Sequence, residues 1–195
     1  MTDPQTDQIA REAARLIETG GAESIDAAIH AAASALNLQD VPLPGRGRVR
    51  KHAQAMSMQA LGDEGYTESV RNVWEIAEQL MTALEQAMPD EPTLLVGRAA
   101  KGQIDAGVTI HIRIYTKSQI AEIGQMLVDF GYDEPAFETV DAAVGRLNQI
   151  RLTEDGIEIV LTRCLPAMLK DAQVDLFRGQ AIGTVTLEEL RDMLK

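Results

Sequence analysis

The chain has 195 residues, 45% of them apolar and 25% charged, which suits a folded protein with one real core or a domain plus a small helical extension. Eighteen basic against thirty acidic residues leave a net charge of −12. That balance argues against broad nucleic-acid binding, whose affinity comes mainly from neutralising phosphates. No apolar run reaches the roughly 20 residues a membrane span needs. The polar, acidic N-terminus lacks the basic-then-apolar order of a signal peptide. The one cysteine, Cys164, excludes an internal disulfide, so a cytoplasmic location is expected.

The first third reads as helical. Ile9, Ala13, Leu16 and Ile17 fall at helical spacing and Gly20-Gly21 stops the run. Ser24 is a good N-cap for a second helix with Ile25, Ala28, Ile29, Ala32 and Leu36 on one face. Both helices are short and alanine-rich, so their stripe must dock on the main domain or on a second chain to be stable. "VPLPGRGRVRKH" reads as a linker entering a helix that carries Val49, Ala53, Met56 and Ala60. It also holds the main basic cluster, Arg46, Arg48, Arg50, Lys51 and His52. Basic charge suits a helix N-terminus poorly, so an acidic surface, the protein's own included, is expected opposite it. After a break at "LGDEGY", Val70, Val73, Trp74, Ala77, Leu80 and Leu84 define a helix from about Thr67 to Met88.

From residue 93 the period changes. "TLLV" reads as a short buried strand. "GVTIHIRIY" alternates, with Val108, Ile110, Ile112 and Ile114 on one face and Thr109, His111 and Arg113 on the other. Thr116 and Gln119 form a capping box opening a helix with Ile120, Ile123 and Leu127, which Gly131 ends. "LNQIRLTEDGIEIVLTR" reads as a hairpin about the turn Asp155-Gly156. A helix is expected near Pro166 to Phe177, and Thr186 with Glu189 announces a last one.

The stretch "LLVGRAAKGQIDAGVTIHIRIY" carries a resemblance. Strand, glycine turn (Gly97-Arg98), basic residue and glycine (Lys101, Gly102) and second strand (Thr109-Ile110-His111) are similar to the polymerase-beta-like nucleotidyltransferase superfamily in its small bacterial forms. "GIEIVL" resembles the strand that brings that family's third acid, and "IGTVTLEELRDML" its strand-then-helix ending. The resemblance covers residues 65–195. It implies an α+β fold with a helical N-terminal region, residues 1–64, followed by a nucleotidyltransferase-like domain with a small mixed sheet packed by helices. It also implies a nucleotide cleft bordered by Gly97, Arg98, Lys101, Gly102, Thr109, His111 and Arg113.

The acids of that family are altered here. Two carboxylates at alternate strand positions would hold Mg²⁺, a hard cation that takes oxygen ligands. Thr109 offers a neutral hydroxyl, His111 a nitrogen better suited to zinc or nickel, and Val160 nothing. Glu158, two positions from Val160, is the weak catalytic candidate, and Asp105 reads as a turn residue. No metal and no cofactor are expected, with Mg²⁺ entering only if transfer persists through Glu158. The cationic side chains suggest instead a site for a nucleotide or other anionic small molecule. The plain alternative is a solvated strand face. Binding of a protein partner in place of the small molecule, or a homodimer, belongs to the same reading of a catalytically degenerate member, and a structural or regulatory protein that assembles through its N-terminal helices is a third. Cys164 reads as a buried structural thiol, and Trp74 as core.

Overall fold

The computed structural model describes residues 3–195, which divide into two compact units. The first unit comprises Met1–Ser69 with Ile104–Gly107, and the second Val70–Gln103 with Val108–Lys195.

In the first unit, α1 (Pro4–Glu18) is capped by Asp3 and α2 (Ile25–Ala35) by Ser24, whose side chain accepts from Ala27 N. Their apolar stripes meet in a cluster of Ile9, Ala10, Ala13, Ala28, Ile29 and Ala32, with Val49 and Ala53 from the start of α3 (Arg46–Ala87). The stripe therefore docks on this chain's own third helix. Small side chains let the helices approach closely, and Ile9 and Ile29 supply most of the buried volume. The acidic surface expected opposite the basic cluster is present. Arg46 Nε lies 2.8 Å from Asp26 Oδ1, and His52 Nε2 lies 3.0 Å from Asp7 Oδ1. Those contacts depress both carboxyl pKa values, Asp7 chiefly through its bond to His52 and Asp26 through Arg46. Glu18 accepts from Ser57 Oγ (2.6 Å) and from Ala106 N (3.1 Å), and so holds the Ile104–Gly107 loop within this unit.

The break expected across "LGDEGY" shrinks to one residue. Only Gly62 leaves helical geometry inside α3, with φ +68° and ψ 174°. A glycine takes that left-handed conformation without a Cβ penalty, while Asp63 and Glu64 suit the N-terminus of the helical half that follows.

In the second unit six strands form one mixed sheet in the order β3-β4-β5-β2-β1-β6. They are β1 (Thr93–Val96), β2 (Thr109–Tyr115), β3 (Ala136–Ala142), β4 (Gly145–Glu154), β5 (Ile157–Cys164) and β6 (Thr184–Val185). β2 and β5 run parallel, and every other neighbouring pair is antiparallel. The fold is α+β. Asp155 (φ +50°) and Gly156 (φ +76°) make the tight hairpin turn, closed by the pair Glu154 and Ile157. One face of the sheet is dry: Leu95, Ile110, Ile112, Ile114, Ile150, Ile159 and Leu161 are all fully buried. α4 (Ile120–Asp129) packs beside β4, and α5 (Leu187–Met193) beside β1.

Three expectations need correction. α4 is capped by Gln119 and Glu122, not Thr116 and Gln119, because the buried Thr116 Oγ1 accepts from Ser118 N while Thr116 N donates to Cys164 O. The helix expected over Pro166 to Phe177 is a short 3₁₀ helix, Pro166–Asp171, followed by tight turns about Asp175. Trp74, read as core, is only half-buried, and its Nε1 donates to Ala99 O (2.8 Å) in the loop after β1; Leu80 on the same helix is fully buried. Strand β3 had no counterpart in the sequence reading.

The alanine-rich cluster makes Ile9 disproportionately important. Ile9→Ala should destabilise the first unit by roughly 2–4 kcal/mol, the usual cost of emptying a fully buried site. Hydrogen exchange of the amides of α1 and α2 measures this, and unchanged protection would contradict the packing described.

Candidate functional site

The second sheet face carries every site residue on a strand. Register places Thr109 beside Glu158, His111 between Val96 and Val160, and Arg113 between Leu94 and Thr162. These side chains share a face because paired residues point to the same side of a sheet. The face therefore runs from a polar end at Thr109 and Glu158, past the exposed His111, to an apolar end at Leu94, Tyr115 and Cys164.

At the polar end Glu158 is fully engaged. It accepts from Thr109 Oγ1 at 3.2 Å and from Arg151 Nη1 at 2.5 Å, while Arg151 Nη2 lies 2.7 Å from Glu138 Oε1. Threonine, glutamate, arginine and glutamate thus form a ladder across β2, β5, β4 and β3. Glu138 and Glu158 raise the Arg151 pKa against the opposing effect of its burial, Glu138 being the larger influence. A carboxylate whose two oxygens each already accept a hydrogen bond has fewer lone pairs to offer Mg²⁺. Val160, where the resemblance would set a third acid, is buried and apolar. Among the described residues no group of three or more histidines, cysteines or acids could hold a metal ion. The residues present do not fit a two-metal site.

An open cleft of about 700 Å³ lies beside Glu158, lined also by Asp133, Glu134, Ala136, Arg151, Leu152 and Thr153. Of the residues selected from sequence, only Glu158 reaches it. Arg151 was within reach of sequence reasoning, since counting back from the Asp155-Gly156 turn sets it on Glu158's face, one diagonal step away. Glu138 was not, because it stands on the unrecognised β3.

The glycine loop is built for itself as much as for a ligand. Gly97 has φ +82°, and its N–H donates to Gly183 O. The N–H groups of Lys101, Gly102 and Gln103 are likewise spent on carbonyls of Arg98 and Ala99. Gly102 takes the left-handed conformation at φ +62°, and a Cβ there would meet the Trp74 ring at 3.3 Å. The indole behind it is reason enough for that glycine. Lys101 is exposed and lays its stem on Gly183, where a Cβ would come within 2.8 Å. Arg98 is half-buried. The side chain of Asp105 accepts from Gly107 N at 3.2 Å, in keeping with a turn residue.

Arg113 is the main departure. The sequence set it on a half-exposed face, yet it is only 5% exposed. Its Nη1 donates to Ala172 O and Val174 O, both at 3.0 Å. The segment between β5 and β6 crosses this end of the sheet, with Met168, Ala172, Leu176 and Ile182 packed on Leu94, Tyr115, Leu147 and Cys164. Burial there raises the Tyr115 pKa and pushes the Cys164 thiol up to about 11, with Arg113 pulling both the other way.

No family model matches the chain, and no curated protein matches it. Among solved structures it is similar in part to the GLD-2/RNP-8 complex, at 15% identity and TM-score 0.36 over 52% of this chain and 42% of that one. It is similar to Cid1, an RNA terminal uridylyl transferase, at 17% identity and TM-score 0.39 over 58% of this chain and 35% of that one. The polymerase core of TRAMP, an RNA surveillance complex, aligns at 20% identity and TM-score 0.35 over 45% and 30%. The chain thus spans less than half the length of each of these proteins.

Two outcomes check this geometry. Glu158→Gln should change stability by less than about 1 kcal/mol, because Arg151 keeps Glu138 and exposed pairs contribute little. A larger loss in urea unfolding would mean the ladder is structural. Cys164 gives a pH signature. Its folded pKa lies above the unfolded value, so its contribution is present below about pH 9 and lost as pH rises towards 11. About two pKa units correspond to roughly 2–3 kcal/mol. Stability should therefore fall less steeply between pH 9 and 11 in Cys164→Ala than in the wild type, and identical slopes would contradict the thiol's burial.

Proposed function

We propose that this chain is a nucleotidyltransferase-like protein that acts by binding an anionic small molecule, of which a nucleotide is the model class, and performs no metal-dependent transfer on it. The observation that carries the reading is the Thr109–Glu158–Arg151–Glu138 ladder. It sets a guanidinium against the one carboxylate near the positions where the resembling family keeps metal ligands. A metal site turned into an ion-pair ladder can no longer stabilise attacking and leaving oxygens together.

Cations replace the acids. The exposed Lys101 lies in the loop after β1, and His111 stands one register step from that loop, beside Val96. Arg98 belongs to the same loop. Buried Val96 and Val160 flank His111 and leave a dry floor, on which a charge-assisted hydrogen bond is stronger than in open water. In a chain of net charge −12, such a patch also selects where an anion can approach.

Thermal-shift measurements with nucleoside triphosphates and inorganic tripolyphosphate test the reading, since a ligand that binds only the native state raises the melting temperature. Stabilisation should appear in EDTA. Lys101→Ala and His111→Ala should each weaken it by roughly 1.5–3 kcal/mol, or about ten- to a hundredfold in affinity. Glu158→Ala should leave it intact. Mg²⁺-dependent transfer of a nucleotide that disappears with Glu158→Ala would overturn the proposal.

A further inference from the structure

The sheet of the second unit has two edges, and they are finished differently. β6 is two residues long and runs straight into α5 through the cap Thr186, so little of it is open to pairing. β3, at the other edge, pairs with β4 along seven residues, from Ala136 opposite Arg151 to Ala142 opposite Gly145, without a bulge. The two-residue loop Ala143-Val144 makes Ala142 and Gly145 a hydrogen-bonded pair. By alternation, Phe137, Thr139 and Asp141 turn their backbone N–H and C=O groups away from β4. Among the described residues none of those groups has a backbone partner. β3 contains neither proline nor lysine, and with no bulge it lacks the devices that usually blunt an edge.

The sequence of this edge suits a copy of itself. Set antiparallel about a two-fold axis at Thr139, "AFETVDA" meets its own copy over its whole length. Phe137 then faces Asp141 of the second copy, Glu138 faces Val140, and Ala136 faces Ala142. No like charges stand directly opposite each other, an arrangement that would weaken the pairing. Glu138 and Asp141 also have cations of their own on β4, Arg151 at 2.7 Å and Arg146 at 3.8 Å. Neighbouring registers are worse. An axis at Glu138 sets that acid against itself. An axis at Val140 calls on Ala143 N, which already donates to Leu176 O. Apolar surface borders the edge on its helix side. Phe137 is 53% exposed, with its ring so close over Gly124 of α4 that a Cβ there would come within 2.3 Å. Val128, one turn further along that helix, is 46% exposed.

We propose that β3 is a dimer edge, pairing antiparallel with β3 of a second copy about Thr139 to make one continuous sheet. Thr139 with its copy, and the two pairs of Phe137 with Asp141, then exchange the backbone hydrogen bonds that the edge leaves open. A two-fold contact of this kind closes on itself, so association stops at the dimer. One strand edge is a small interface, so the dimer is weak and forms in the micromolar range. The pairing needs no ligand and is independent of anion binding.

Sedimentation velocity of the full chain over a micromolar concentration series reads the association, and cysteine crosslinking reads its register. The wild type should pass from monomer to dimer as concentration rises. Thr139→Pro should stay monomeric, because the N–H that proline lacks is one that β4 does not use. If that variant does not fold, Thr139→Lys gives the same loss of dimer, with two ammonium groups meeting at the axis. Thr139→Cys should form a covalent dimer on oxidation, since residues opposite each other in such a pair lie about 5.5 Å apart at Cα, within disulfide reach. Asp141→Cys should form none, its two copies lying roughly 14 Å apart along the strands. The native Cys164 is buried and does not compete. A wild type that stays monomeric throughout overturns the proposal, whatever other strand the edge accepts. So does a dimer that persists in both Thr139→Pro and Thr139→Lys, or equal crosslinking at positions 139 and 141.

Discussion

A guanidinium buried on β2 dictates the path of the chain that covers it. Arg113 is on a strand whose apolar face must point into the core, so period-two geometry commits its side chain to the second face. Once there, beneath Leu94, Tyr115 and Cys164, it needs acceptors, and the carbonyls of Ala172 and Val174 provide them. The segment from Pro166 makes a short 3₁₀ helix, Pro166–Asp171, and goes no further, although a helix is expected there. The same constraint explains the covered end of the face, the raised pKa of Cys164 and the exposed apolar side chains left along that segment.

The other end of the face obeys a different constraint. Glu158 stands beside Thr109 on the parallel neighbour and one diagonal step from Arg151 on the antiparallel one. Strand pairing thus fixes its partners before any ligand arrives. The one guanidinium of Arg151 is shared there between two carboxylates, Glu158 and Glu138. Between the two ends lie His111 and the glycine loop. Most of the loop's conformation is accounted for by contacts to Gly183, Trp74 and its own carbonyls, while the side chains of Lys101 and His111 are exposed.

Much of this was readable from the sequence, for definite reasons. The alternation of Ile110, Ile112 and Ile114, the Asp155-Gly156 turn and the Thr186–Glu189 capping box are local signals, and each formed where expected. So did the Ser24 cap. Strand β3 was missed because it is an edge: Ala136, Phe137, Thr139 and Asp141 are exposed, and the half-buried positions that alternate with them, Glu138, Val140 and Ala142, include only one large apolar residue. Missing β3 hid Glu138, and with it the ladder that holds Glu158. Arg113 looked like a ligand-facing cation because its neighbours on the strand face were polar. The segment above it comes from some sixty residues later in the chain, a distance over which local pattern says nothing.

The central claim is that an anion binds here without a metal, and calorimetric titration with tripolyphosphate in EDTA and in excess Mg²⁺ tests it most directly. The account predicts saturable binding in EDTA and equal or weaker binding with Mg²⁺, because the metal withdraws charge from the phosphates before Lys101 and His111 can use it. Binding seen only with Mg²⁺ would contradict it and return Glu158 to the role of a metal ligand.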